Sequence, residues 1–365
     1  MTEENTGSCL AGLLPTLKRG VSRTKYNLFN PYTKTIEDIK ASRPKVLIGT
    51  YVHEYKDYSF NRWLKRAVQM ALDFKKYGNA QILIVDNSEN KEYAKLLDAR
   101  CDWYRHFKNV ECTVVRLSSI PKTTREKQKA SQNVLWDATL GGYKSLGTFQ
   151  FLYIVESDVL PPEDSIVELM KFNKSIVSGI YSLRNEETIE GHKEFLKKEG
   201  LEKEWKDKDI GDWLCVIPYF ARLINGKMQR FLLHRIDLNK IVDRVEEKQY
   251  GHCMRVFACG LGCILIKANV LKVVKPEATS KKQVTFYKRL YKFAVQLEKD
   301  IGYKDQYLLP HIKTIRNEYK NILKQKIHPD TNFHILCEKR GIHRYISPYV
   351  QCRHLRSNWR DVKNR

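Results

Sequence analysis

The feature that most constrains this chain is the alternation, from Lys45 onward, of short apolar runs with longer stretches patterned like helices. Val110–Leu117 reads as a strand, and Val46–Val52 (VLIGTYV), Gln81–Val85 (QILIV) and Phe149–Val155 (FQFLYIV) are short and almost continuously apolar. Such runs read as strands covered on both faces. Between the first two, Phe60, Trp63, Leu64, Ala67, Ala71 and Phe74 recur at helical spacing along Phe60–Tyr77, and Gly78-Asn79 stops the pattern. Further helices are expected over Lys91–Phe107 and Arg125–Leu146. Strands joined by helices need crossover connections, so the fold class is α/β with a mostly parallel central sheet flanked by helices.

An open sheet of this kind binds ligands beyond the C-terminal ends of its strands. Three polar tips fall there: Thr50-Tyr51, Asp86-Asn87-Ser88 and Glu156-Ser157-Asp158, the last followed by the breaker Pro161-Pro162. Two carboxylates at i and i+2 offer oxygen ligands that suit a hard divalent cation carrying a phosphate-bearing substrate. The competing reading is that Glu156 and Asp158 only end a strand and cap the helix that starts near Pro162. Three polar tips gathered at one edge favour a binding site for something elongated.

Beyond the third tip the pattern loosens. Ser175–Leu183 reads as a strand, Glu186–Asp212 as a solvated mixed-charge insertion, and Trp213–Arg235 as short strands around Asn225-Gly226. Val256–Ile266 (VFACGLGCILI) is apolar but broken by Gly260 and Gly262. These glycines lack the G-x-G-x-x-G spacing of a dinucleotide fingerprint and allow a sharp turn or a close backbone approach. Trp213 and Tyr219 are candidates to stack on a sugar ring, although both types are more often core residues. The expected organisation is a leader over 1–43 and a single domain over 44–355. That domain divides into a nucleotide-binding half (44–184) and an acceptor half (185–355), with helical insertions near 186–212 and 279–326. A basic tail occupies 356–365.

Composition narrows the function classes. The chain has 365 residues, 42% of them hydrophobic, which describes a folded protein. No run approaches the roughly 18 apolar residues of a membrane span. The stretch Cys9–Leu14 is too short for a signal-peptide core, so a cytoplasmic location is expected, with the nine cysteines as reduced and mostly buried thiols. The net charge of +23 favours polyanionic partners: nucleic acid, acidic lipid or nucleoside diphosphates. Basic residues concentrate in Lys272–Lys326, with fourteen Lys/Arg against five Asp/Glu. The interleaved Phe286, Tyr287, Tyr291 and Phe293 have helical spacing, so they pack inward and argue against a nucleic-acid surface. The same basic face suits peripheral contact with an acidic membrane. A zinc site from Cys253, Cys259 and Cys263, or from Cys337, Cys352 and His354, lacks paired C-x-x-C spacing.

Taken in order, VLIGTYV, ILIVDNS, the helix carrying Lys129-Ala130-Ser131-Gln132-Asn133, LYIVESDVLPP, IVSGIYSLR, ACGLGCILI, DTNFHILCEKRG and VQCRHL resemble the family 2-like glycosyltransferases with the GT-A fold. The resemblance implies transfer of a sugar from a UDP-, GDP- or dTDP-linked donor to a hydroxyl of a glycan, protein or lipid-linked acceptor. It implies Mn²⁺ or Mg²⁺ as cofactor and inversion at the sugar, with a retaining enzyme on the same metal site as the alternative. Thr50, Tyr51 and Asp86 would line the nucleotide, approached by Arg125 or Lys129. Glu156 and Asp158 stand in the family's Asp-x-Asp position, touching donor and metal; here the first acid is Glu, one methylene longer. His354 matches a late histidine that completes the metal site in some relatives, and a hydrogen-bonded structural histidine is its other reading. Asp330 matches the general base; its other reading is the N-cap of a helix beginning at Thr331. A sugar-phosphate nucleotidylyltransferase would carry a Gly-rich, Arg-bearing loop where this chain has Thr50–Glu54.

Overall fold

The computed structural model describes residues 29–182, 214, 216–218, 252–274, 291–293, 295, 296, 298, 316 and 329–355. The expected insertion at 186–212, the basic tail at 356–365, Trp213, Tyr219 and nearly all of the 279–326 helices lie outside them; within the described part, Phe293, expected to pack inward, is instead exposed.

The apolar runs form the strands that their composition implies. They are β2 (Lys45–Val52), β3 (Asn79–Asp86), β4 (Cys112–Arg116) and β5 (Phe151–Val155). They pair in parallel in the order β4-β3-β2-β5. The crossovers are α2 (Asp57–Phe74), α3 (Lys91–Lys108) and α4 (Thr124–Thr139). Strand alternation sorts the core into two layers. Val46, Ile48, Ile82, Ile84, Tyr153 and Val155 meet Phe60, Trp63 and Leu64 of α2 and Leu97 and Cys101 of α3. Leu47, Leu83, Val85, Leu152 and Ile154 meet Leu135 and Trp136 of α4 on the other face. Each side chain so buried stabilises the fold by about 1.5–3 kcal/mol relative to exposure, which is why both faces of these strands had to be apolar.

Beyond β5 the sheet continues through β10 (Cys263–Lys267), which is antiparallel to both β5 and β7 (Ile176–Ile180). β7 then pairs in parallel with β11 (Arg344–Gln351). An antiparallel flank follows, with β9 (His252–Cys259) joined to β11, to β1 (Phe29–Pro31) and to β8 (Val216–Pro218). The apolar segment 256–266 is thus the end of β9, a turn at Gly260–Gly262, and β10. A short ribbon pairs β12 (Arg353–His354) with β6 (Val159–Leu160). That ribbon ties the segment after β11 to the residues just after β5.

Several helix limits differ from the sequence reading for local reasons. Part of the expected leader is ordered as α1 (Ile36–Ser42), started by a capping box between Thr35 and Asp38. The long helix expected to reach Leu146 stops at Thr139, because Gly141 takes φ +91°. α5 (Ser165–Lys171) has Asp164 at its N-cap, so neither Glu156 nor Asp158 caps it. After α6 (Ala268–Val273), α7 (Pro329–Lys339) begins before Asp330, which therefore lies in its first turn rather than at an N-cap before Thr331. The seven cysteines among the described residues are free and buried. No described helix is long and apolar enough to cross a membrane.

Candidate functional site

Because β2, β3 and β5 are parallel, their last residues reach one edge together. The antiparallel register of β10 sets Cys263 opposite Val155, so the Gly260–Gly262 turn joins the same edge, where Glu156 N–H donates to Gly262 O at 3.0 Å. A Cβ on Gly262 would lie 2.6 Å from the Tyr181 hydroxyl, which accepts a 2.9 Å hydrogen bond from Gly262 N–H. A side chain at this position would force the turn or the Tyr181 ring to shift.

Asp158 is 6% exposed and forms an acidic corner of the site that gathers two basic side chains. Its Oδ2 accepts from Lys56 Nζ at 2.9 Å and lies 3.6 Å from His354 Nε2, an ion-pair rather than a hydrogen-bond distance. Its backbone carbonyl accepts from Leu355 N–H at 2.7 Å, a bond of the β6–β12 ribbon that fixes His354 beside it. Burial alone would raise the Asp158 pKa, but His354 and Lys56 hold it at about 2. Burial likewise pushes His354 down, and Asp158 more than offsets this, so the imidazole sits above its ordinary value. His354 Nδ1 donates to Ser182 O at 3.0 Å, and its ring meets Tyr181 edge-on.

Glu156 faces a different network. Its Oε1 accepts from the Tyr51 hydroxyl at 3.0 Å, and that hydroxyl accepts from Gln128 Nε2 at 3.0 Å. Gln128 Nε2 also donates to Asp330 Oδ1 at 3.1 Å, and Gln132 Nε2 donates to the same oxygen at 2.9 Å. Gln128 and Gln132 stand one turn apart on α4, so one helix face presents two amides to Asp330. Burial is the main cause that raises the Glu156 pKa; Lys56 opposes it, and Asp158 and Asp330 add to it. Asp330 and Glu156 are thus joined by one hydrogen-bonded chain, although they lie far apart in the sequence.

The other expected positions are placed as follows. Thr50 and Asp86 are fully buried at the β2 and β3 tips. Asp86 Oδ1 accepts from Ser88 N–H at 2.9 Å and from the Ser88 hydroxyl, while Oδ2 has Arg116 Nε 3.9 Å away. Lys129 lies half-buried on α4, and Arg125 is in its first turn. Thr50 Oγ1, Asp86 Oδ2, Asn87 Oδ1, Gln132 Oε1, Ser157 Oγ and Asp158 Oδ1 are buried polar atoms without a hydrogen-bond partner among the described residues. Such orphans are costly unless a ligand or water meets them.

Sequence reasoning missed Lys56, Gln128, Lys127 and Tyr181. Lys127 is buried and donates to Glu89 Oε1 at 2.9 Å, with His53 Nε2 3.3 Å away. The i, i+4 amides of α4 were a signal available in the sequence. Lys56 carried none, since a lysine after a strand usually faces water.

No family model matches the chain, and no curated protein matches it. Among solved structures it is similar to GalNAc-T7 with UDP, GalNAc and Mn²⁺, at 10% identity and a TM-score of 0.44, over 86% of this chain and 44% of that one. It is similar to the mannosyltransferase Ktr4p of S. cerevisiae with GDP, at 9% identity and a TM-score of 0.35, over 92% and 77%. It is also similar to the inositol-1-phosphate CTP transferase of T. maritima, at 8% identity and a TM-score of 0.36, over 87% and 90%. The chain spans less than half the length of the GalNAc-T7 chain.

Proposed function

We propose that the chain is a GT-A-like glycosyltransferase that moves a sugar, with inversion, from a UDP-, GDP- or dTDP-linked donor to an acceptor hydroxyl on a glycan, protein or lipid. The observation that carries this reading is the chain Glu156–Tyr51–Gln128–Asp330. It links a carboxylate held by two amide donors to Glu156, two residues before the Asp158 corner where Lys56 and His354 gather. Sugar transfer needs those two functions: a base for the incoming hydroxyl and positive charge for the departing diphosphate.

In this reading Asp330 accepts the proton of the acceptor hydroxyl, while Gln128 and Gln132 fix the direction in which its carboxylate points. Thr50, Tyr51, Asp86 and the orphaned polar atoms of Asn87 and Ser157 line the nucleotide. The Asp158 corner suits Mn²⁺ or Mg²⁺ in chemistry. Asp158 Oδ1 is buried and unpartnered. The Nδ1 bond of His354 to Ser182 O leaves Nε2 on the Asp158 side, the orientation that second-shell carbonyls impose on metal-bound histidines. Among the described residues no group of three or more His, Cys, Asp or Glu converges, so Asp158 and His354 would be the protein's two ligands, with Glu156 occupied by Tyr51. When bound, the ion would act as a Lewis acid on the diphosphate.

A panel of UDP-, GDP- and dTDP-sugars tests the reading by thermal stabilisation and by donor hydrolysis, with and without Mn²⁺. At least one donor should raise the melting temperature and be hydrolysed, and Asp158→Asn should remove the metal-dependent part. The reading fails if no donor stabilises the chain. Anomeric configuration of the product, read by NMR, separates inversion from retention.

A further inference from the structure

Lys56 occupies a position that the sugar-transfer reading does not use. It ends a single 3₁₀ turn (Glu54–Lys56) between β2 and α2. Its backbone is pinned there: Lys56 N–H donates to His53 O at 2.8 Å, and Ser59 Oγ donates to Lys56 O at 2.8 Å. Its side chain crosses to the β5 tip and sets Nζ 2.9 Å from Asp158 Oδ2, while remaining 37% exposed. Glu156 and Tyr58 also face this ammonium. One oxygen of Asp158 is therefore already held by a resident cation, and only Oδ1 is unpartnered.

We propose that Lys56 is the counter-cation of the Asp158 corner in the absence of a divalent ion, and that it sets how tightly such an ion binds. An ion on Asp158 would stand within a few ångströms of an ammonium on the same carboxylate, and the two positive charges repel. The ion must either tolerate Lys56 or displace it. The pinned backbone and the flexible, partly exposed stem allow Nζ to swing off Oδ2 without moving β2 or α2. Lys56 thus keeps the acidic pair neutralised and folded in place while weakening retention of the ion. The released ammonium is then available to the donor's phosphates.

The inference rests on the proposed function only in taking Asp158 as an ion ligand, and the test separates the two. Binding of Mn²⁺ alone to the intact chain is measured by the loss of the free-ion EPR signal, for wild type, Lys56→Gln, Lys56→Ala, Lys56→Arg and Asp158→Asn. The neutral variants should bind Mn²⁺ about tenfold or more tightly than wild type, and Lys56→Arg, which keeps the charge, should not gain. Either neutral variant suffices if the other fails to fold. Neutral variants that bind no tighter than wild type, beside an Asp158→Asn that has lost the ion, overturn the Lys56 inference alone. An equal gain in Lys56→Arg also overturns it, because charge is then not the cause. Asp158→Asn with wild-type affinity places the ion elsewhere and removes both the inference and the metal assignment.

Discussion

Asp330→Asn separates the charge of the proposed base from its shape. Asp330 Oδ1 accepts two amide hydrogen bonds, 3.1 Å from Gln128 and 2.9 Å from Gln132. An asparagine keeps one carbonyl oxygen for both donors, so the α4–α7 contact survives. Replacing a charged acceptor by a neutral one weakens a hydrogen bond from about 1.5–3 to about 0.5–1.5 kcal/mol. Two such bonds therefore lose about 2 kcal/mol in total, part of which is returned because a charge no longer has to be desolvated. The catalytic loss is larger: a positioned general base contributes about 10²–10⁴-fold, or about 2.7–5.4 kcal/mol at the barrier. Turnover should fall by that factor, with nucleotide affinity by calorimetry within about twofold of wild type and KM little changed, as for an interaction made in the transition state. Urea unfolding run in parallel should show a loss of at most about 2 kcal/mol. A variant that keeps more than about a tenth of wild-type turnover (a loss under one decade, ~1.4 kcal/mol) refutes the base assignment. One that loses turnover and nucleotide affinity in proportion refutes the separation of the two ends of the site.

Three further outcomes follow from the structure. Gln128→Leu removes the link between Tyr51 and Asp330 while preserving size, and should lower turnover about tenfold, near the worth of one aligned hydrogen bond, with nucleotide affinity intact; unaltered turnover would make the link structural only. His334 is 1% exposed and donates from Nε2 to Cys259 O; burial first, then the charge of Arg344, pushes its pKa down from 6.5 to about 3. The unfolded chain takes up that proton first, so the contribution of neutral His334 is complete above pH 6.5 and is lost as pH falls toward 3. Between pH 7.5 and 5 this group should cost about 2 kcal/mol in urea unfolding, a slope that His334→Gln should remove; an unchanged slope would refute the assignment. Gly262→Ala drives a methyl to 2.6 Å from the Tyr181 hydroxyl and should destabilise by about 1–3 kcal/mol. A melting temperature within about 1 °C of wild type would show that the turn relaxes at little cost.

The sequence by itself determined the layered α/β architecture. A strand covered on both faces must be apolar at every position, and a crossover helix must be apolar on one stripe. Both patterns are local, and β2, α2, β3 and β5 were readable from single stretches of chain. The Glu156-Ser157-Asp158 tip was readable for the same reason, as charge placed where a buried strand ends. Which partners those acids meet was decided only in three dimensions. Gln128 and Asp330 touch across 202 positions of sequence, and that contact exists only because α4 and α7 cover the same face of the sheet. Lys56 reaches Asp158 because β2 and β5 are hydrogen-bonded neighbours, so the turn after one strand lies beside the tip of the other. The two acids of the triplet were separated in the same way: the turn that follows β5, closed by Val159 N–H donating to Glu156 O, leaves Glu156 facing Tyr51 and Asp158 facing Lys56 and His354. Local chemistry wrote the elements and the charges. Strand pairing chose which charges would face each other, because pairing energies are summed over whole strands and no single residue records them.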